Sequence, residues 1–202
     1  MSPNQSVFIK GQQIHDNFRY VQGTAKTIAR SKRACIIFKI DLAKAFDSVS
    51  WTFLLELLSA VGCPITWTNW ISTILSMAST KVLMNGVPGR QICHGRGLRQ
   101  GDPLSPLLFV LVTERFNSMV NLAEERGLLE SLGPRIRYRT SLYADDVVLF
   151  LSSVERDLVV IKEILHSFRQ ASSLSTNYSK SQIFPINCSD SMVNLAKDIL
   201  LC

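Results

Sequence analysis

The chain is poor in the features that mark a secreted, metal-stapled or membrane-embedded protein. Its five cysteines, Cys35, Cys63, Cys93, Cys188 and Cys202, are odd in number, and no two have the spacing of a zinc ligand pair. They read as reduced thiols, mostly core or incidental, of an intracellular protein. No basic segment followed by an apolar one opens the chain, so no signal peptide is expected. The longest apolar run in the middle, Leu107 to Val112, is far shorter than the roughly 20 residues that cross a membrane. Repeats and low-complexity linkers are lacking, and the three histidines, His15, His94 and His166, are too scattered to form a site. What remains is an ordinary globular composition, with 47% hydrophobic and 19% charged residues over 202 positions, enough for one sizeable core. The formal charge of +6, from 22 Lys plus Arg against 16 Asp plus Glu, biases the chain modestly towards a polyanionic partner such as nucleic acid.

Periodicity lays out an α+β order. Ile14, Phe18, Val21, Ala25 and Ile28 recur at helical spacing over residues 14–30. Lys26, Arg30, Lys32 and Arg33 crowd the end of that helix, a placement that suits the helix dipole and is also open to phosphate. Residues 34–40 form a near-continuous apolar run, as expected of a buried central strand ending at Asp41. Residues 42–47 then leave the strand as a turn. Ser50 is placed to cap a helix over residues 51–60, Gly62 to stop it, and Pro64 to start another that runs to about Met77. A strand pair over 81–85 and 91–94 is expected around Gly86-Val87-Pro88-Gly89. After a turn-rich loop at 95–106, Ser105 is placed to cap a helix with Pro106 at its first position. Helices over 155–171 and 192–201 flank a short strand at 181–186.

Chemistry concentrates in three carboxylates. Tyr143-Ala144-Asp145-Asp146 separates two strand-like runs, 138–142 and 147–151, as the tip of a hairpin. If that hairpin neighbours the strand ending at Asp41, three carboxylates converge at one sheet edge. Taken singly, each has an ordinary explanation: Asp41 caps a turn, and Asp145-Asp146 forms one. Together they repel, and a hard divalent cation is the natural counter-charge. Two Mg2+ ions about 3.5–4 Å apart stabilise the attacking and leaving oxygens of a phosphoryl transfer. The loop at 95–106 adds Gly97 and Gly101, which permit close backbone approach, with Arg96, Arg99 and Gln100 as polar groups. It lacks the pattern of the common nucleoside triphosphatase phosphate loop. Phe46 reads by itself as a core aromatic, and Lys180 as a solvated loop lysine.

Three segments, Phe38-Lys39-Ile40-Asp41-Leu42-Ala43-Lys44-Ala45-Phe46-Asp47, residues 97–106 and Tyr143-Ala144-Asp145-Asp146, stand in the order and approximate spacing of reverse transcriptases. Ser6 to Gly11, Ile14 to Asn17, Asn177 and Lys180 fit further motifs, and the wording resembles non-LTR, LINE-type retrotransposons, plant members most of all. Gln12 and Ser173 depart from that pattern, where Arg and Gly are usual.

The resemblance implies a right-hand polymerase palm, an antiparallel sheet with helices packed on one face, plus part of the fingers, with the thumb absent from these residues. Residues 1–33 would be a fingers-side segment, 34–186 the palm and 187–202 the start of the connection to the thumb. Asp41, Asp145 and Asp146 would serve two Mg2+ ions, with Mn2+ as a substitute and the Leu42 carbonyl assisting. Asp145 is the expected ligand of the hairpin pair and Asp146 its neighbour. Lys44 and Ala45 would meet the triphosphate, and Phe46 would exclude a 2′-hydroxyl. Gln100 and Gly101 would contact the nucleotide, and Arg99, Ser105 and Pro106 the template side. Lys180 would lie near the triphosphate as a proton donor. The implied partners are an RNA template, a DNA primer, deoxynucleoside triphosphates and the rest of a longer polyprotein, in nucleus and cytoplasm and without a membrane. Two other readings stand beside it: a truncated, catalytically silent remnant with at most nucleic-acid binding, and another two-metal nucleotidyl transferase or cyclase, against which the 95–106 loop argues.

Overall fold

The computed structural model describes residues 14–201; the fit expected of Ser6 to Gly11 and the departure at Gln12 lie outside them. In chain order the elements are α1 (Ile14–Ser31), β1 (Cys35–Ala43), α2 (Ala45–Ser48), α3 (Trp51–Ala60), α4 (Ile65–Ser76), β2 (Ser79–Met84), β3 (Val87–Cys93), α5 (Ser105–Glu125), β4 (Thr140–Tyr143), β5 (Asp146–Ser152), α6 (Glu155–Ser172), β6 (Ser175–Thr176), β7 (Gln182–Ile186) and α7 (Asp190–Leu200). Strands β4, β5, β1 and β6 lie side by side in that order, and β7 also pairs with β1. Every pairing is antiparallel.

β1 is central because its side chains can be buried on both faces. Ile36, Phe38, Ile40 and Leu42 alternate onto one face with Val147, Leu149 and Leu151 of β5. There they meet the apolar sides of α3, α5 and α6, including Leu54, Phe109, Phe116 and Phe168. Cys35 and Phe150 point the other way, and Ile28 of α1 covers them. Helices therefore bury one face, while α1 covers part of the other, from Asn17 at the Leu142 carbonyl to Ile28 over Cys35 and Phe150. Cys35 is free, and burial pushes its thiol up to about 11, so it is a packing residue rather than a nucleophile.

α1 is held across the sheet by polar contacts. Asn17 Nδ2 donates to the Leu142 carbonyl at 2.6 Å, and the Tyr20 hydroxyl accepts from the Tyr138 N–H at 2.8 Å. Beside it the fully buried Arg139 ties several segments together. It pairs with Glu124 at 3.0 Å and Asp157 at 3.7 Å, and donates to the carbonyls of Phe150 and Glu130. Asp157 in turn accepts the Glu130 N–H, and burial raises its carboxyl above the ordinary carboxylate range.

Several local expectations need correction. β1 continues past Asp41 to Ala43, because Leu42 and Ala43 pair with Thr176 and Ser175. The stretch after it is no simple turn: Lys44 adopts φ 48 and starts the short helix α2. The β2–β3 hairpin turns at Asn85–Gly86, both with positive φ, and not at residues 86–89. That pair of residues suits a tight hairpin turn, so Val87 to Gly89 join the strand. Ser105 is the first residue of α5 and not its cap; Asp102 Oδ1 instead accepts the Leu104 N–H at 2.9 Å. The first hairpin strand begins at Thr140, since Tyr138 is taken up by Tyr20. Ser50 caps α3 as expected, its hydroxyl accepting the Phe53 N–H at 3.3 Å.

Candidate active site

The register of the sheet decides which carboxylates meet. β1 and β5 pair from Cys35↔Ser152 through to Asp41↔Asp146. Directly opposed residues of an antiparallel pair project to the same face. Asp41 and Asp146 therefore share the face that α1 leaves open. Like charges in that position repel, and Lys39, two residues before Asp41 on the same face, supplies the offset. Its Nζ lies 3.1 Å from Asp146 Oδ1, with both side chains close to half exposed, so solvent screens the pair.

Asp145 sits in the two-residue turn with Ala144, exposed to solvent. Among the described residues its carboxylate has no hydrogen-bond or ion-pair partner. Ala144 adopts φ 51, a backbone conformation that costs a non-glycine residue energy and that recurs at functional turns.

The backbone of Asp41 is fixed from the other edge. Between β6 and β7 the chain folds into a tight turn over Asn177–Ser181. The Asn177 N–H donates to the Asp41 carbonyl at 2.8 Å, and the Asp41 N–H donates to Ser181 Oγ at 3.1 Å. Ser181 Oγ itself donates to the Asn177 carbonyl at 2.9 Å. The same turn carries the exposed Lys180, whose N–H donates to the Asn177 carbonyl. Asp41 and Lys180 thus come together through backbone contacts. Ser181 and Lys39 have no local pattern that marks them as site residues; the hydrogen bond to Asp41 reveals the first and the ion pair with Asp146 the second.

Phe46 and the 97–101 loop form one unit. The Gly97 N–H donates to the Val49 carbonyl at 2.8 Å, the Leu98 N–H to the Phe46 carbonyl at 2.7 Å, and Trp51 Nε1 to the Gly97 carbonyl at 2.7 Å. A Cβ on Gly97 would lie 2.6 Å from the Asp47 carbonyl oxygen, so no other residue fits without backbone movement. The Phe46 ring stacks on Phe109 with centroids 4.6 Å apart, which fixes its position beside β1. Ala45 is buried next to it, and Lys44 is exposed. Gln100 and Gly101 are exposed on the loop. Arg99 donates to the Met77 carbonyl at the end of α4 at 3.1 Å, Ser105 is buried, and Pro106 is partly so. A groove of about 620 Å3 opens between this loop and the base of the β2–β3 hairpin, lined by Asp47, Thr80, His94, Arg96 and Gln100 among others. His94, given no role from sequence, shares a hydrogen bond with Thr80 Oγ1 at 3.2 Å there.

The donor set at the hairpin is all hard oxygen, the kind Mg2+ takes. Among the described residues no group of three or more His, Cys, Asp or Glu side chains stands arranged to hold an ion alone. Mg2+ seldom uses such a cage; one or two carboxylates plus substrate phosphates suffice, and the open face leaves room for them. The hard-oxygen donors present fit such an ion.

An antiparallel sheet with facing aspartates at one end, a hairpin tip beside them and a glycine loop docked under an aromatic is the palm of a right-hand polymerase. A family model described as Reverse transcriptase (RNA-dependent DNA polymerase) matches residues 1–189, and the chain belongs to that family. It is 30% identical over 179 residues to the transposon TX1 uncharacterized 149 kDa protein of Xenopus laevis, a match covering 89% of this chain and 14% of the relative. It is 32% identical over 148 residues to the retrovirus-related Pol polyprotein from type-2 retrotransposable element R2DM of Drosophila melanogaster, covering 73% of this chain and 14% of that one. A shorter match, 44% over 69 residues, joins it to an uncharacterized mitochondrial protein of Arabidopsis thaliana, covering 32% of this chain and 55% of the relative. The chain therefore spans a small part of the Pol proteins it resembles. Among solved structures, apo telomerase from Candida tropicalis matches in fold with a TM-score of 0.60 at 12% identity, over 84% of this chain and 36% of that one.

Proposed function

We propose that the chain is the palm of an RNA-directed DNA polymerase that copies a retrotransposon, transferring deoxynucleotides from their triphosphates to a primer 3′-hydroxyl. Residues 34–186 form the palm, with residues 1–33 on the fingers side and 187–202 leading towards the thumb. The observation that carries this reading is Asp41 lying opposite Asp146, with the unpaired carboxylate of Asp145 at the adjoining tip. Asp41 and Asp145 hold Mg2+, with the Leu42 carbonyl and Asp146 beside them. When bound, the ions stabilise the charge on the phosphoryl oxygens and ease deprotonation of the primer hydroxyl. Asp145 rather than Asp146 is assigned as ligand because Asp146 already has Lys39 as counter-charge. Lys44 and Ala45 receive the triphosphate through their backbone. Phe46, fixed by Phe109, closes the space a 2′-hydroxyl would need. Gln100 and Gly101 touch the nucleotide, and Arg99, Ser105 and Pro106 the template side. Lys180 protonates the leaving pyrophosphate, a reading supported by the Asn177–Ser181 turn that joins its backbone to that of Asp41.

The test is primer extension on an RNA template by this chain within its longer Pol protein. Asp145→Asn should abolish extension while leaving the melting temperature unchanged. Equal extension by that variant would remove the metal assignment, and no extension by the parent would favour the silent, nucleic-acid-binding remnant.

A further inference from the structure

A basic feature lies at the other end of the sheet from the carboxylates. The last turn of α1 and the segment 132–136 enclose an open cavity of about 290 Å3, lined among others by Thr27, Arg30, Ser31, Arg33, Gly133 and Arg135. Arg30, Arg33 and Arg135 are all exposed. Arg33 is oriented by a hydrogen bond from Nη1 to the Ser131 carbonyl at 3.1 Å. Arg30 and Arg135 have no ion-pair or hydrogen-bond partner among the described residues. Lys32 follows Arg30 on the chain, and Arg137 stands over the Tyr138 ring at 5.9 Å on the flank. Residues 26–34 and 131–138 contain six basic residues and no acidic one.

The helix dipole does not account for Arg33 and Arg135, which lie outside α1. In the last turn of α1 the Ala29 carbonyl already has a donor, Asn187 Nδ2 at 3.3 Å, which also lies 3.2 Å from the Arg33 carbonyl beyond the helix. Uncompensated guanidinium groups around one concavity repel each other, and a phosphate oxygen relieves that while accepting their forked donors.

The geometry points to a phosphodiester-binding site for single-stranded nucleic acid at this arginine cavity, separate from the catalytic end. It rests on the reading of the chain as acting on nucleic acid. Arg33 at the cavity stands two residues before Cys35, the start of β1, and Cys35 lies six residues from Asp41, about 20 Å along the strand. That distance is roughly six stacked nucleotides. The site holds the strand by its backbone, independently of base sequence, at a distance from the point of synthesis.

Fluorescence anisotropy with the full 202-residue chain and a labelled RNA single strand of about 20 nucleotides tests this, with affinity followed against salt concentration. For Arg30→Glu/Arg33→Glu/Arg135→Glu, affinity should fall at least tenfold, and the slope of log K against log salt should flatten by about 2, from three contacts at about 0.7 each. Arg30→Gln/Arg135→Gln leaves the Arg33–Ser131 contact intact, guards against misfolding, and should flatten it by about 1.4. Unchanged affinity and slope in both variants overturn the proposal. So does equal weakening of poly-glutamate binding, which would mark the patch as a general anion surface. Failure of the polymerase reading thus shows in extension, and failure of this one in the salt slope.

Discussion

Replacing Gly97 by alanine should loosen the 97–101 loop, and the size of the effect follows from its contacts. The new Cβ would lie 2.6 Å from the Asp47 carbonyl oxygen, 2.8 Å from its carbon and 3.0 Å from its Cα, so only backbone movement relieves the clash. An ordinary contact begins near 3.4 Å, and the two segments must therefore part by about 0.8 Å. Hydrogen bonds of 2.7–2.8 Å from Gly97, Leu98 and Trp51 would stretch to about 3.5 Å, where little of them remains. Two or three lost bonds at about 1 kcal/mol each, plus about 1 kcal/mol for alanine at φ +85, give roughly 3–4 kcal/mol. For a domain of this size that lowers Tm by about 10 °C. Two neighbours serve as controls. Gly101 also has a positive φ but nothing within 4 Å, so Gly101→Ala should cost about 1 kcal/mol. Gly95 has neither constraint, so Gly95→Ala should cost nothing measurable. Thermal unfolding followed by circular dichroism, with Trp51 emission as the local probe, reads all three. A Gly97→Ala chain that melts within about 2 °C of the parent with unchanged emission would refute the docking argument.

Three further outcomes are expected. Ser173 ends α6 at φ 64, where glycine carries no Cβ penalty, so Ser173→Gly should stabilise by about 1 kcal/mol and raise Tm by about 2–4 °C; a lower Tm would contradict this. Asp157 has its carboxyl raised by burial, so its favourable contribution is complete below the unfolded value and is lost as pH rises through the folded one. In urea unfolding, the parent should therefore lose stability relative to Asp157→Asn as pH rises from about 4 to 7, and a constant difference would exclude it. Phe46→Val should admit ribonucleotides in primer extension by the longer Pol protein; unchanged discrimination would remove Phe46 from the sugar contact.

The sequence made some parts of this site readable and hid others for physical reasons. The two strands bearing the aspartates show as apolar runs because each is buried on at least one face, and Ser50 shows as a cap because its hydroxyl has a local partner. Ser105 misleads for the same reason: a serine before a proline looks like a cap, yet α5 starts at Ser105 itself, and Asp102 braces the preceding turn by accepting the Leu104 N–H. The pairing of Asp41 with Asp146 rather than Asp145 depends on register, and a shift of one residue would exchange every side chain between faces. β6, at two residues, is too short for a pattern to show. The grip of Ser181 on Asp41 crosses 140 positions, and no local signal carries it. Ser173 was seen as a departure from the family; the positive φ gives the reason glycine is usual there.

Binding of Mn2+ to the 202-residue chain, followed by loss of the free-ion paramagnetic resonance signal with and without a deoxynucleoside triphosphate, tests the carboxylate centre most directly. The triphosphate should bring Mn2+ onto the protein, and both Asp41→Asn and Asp145→Asn should remove that gain while Asp190→Asn, on the distant α7, leaves it intact. Equal Mn2+ uptake by the parent and both aspartate variants would contradict it.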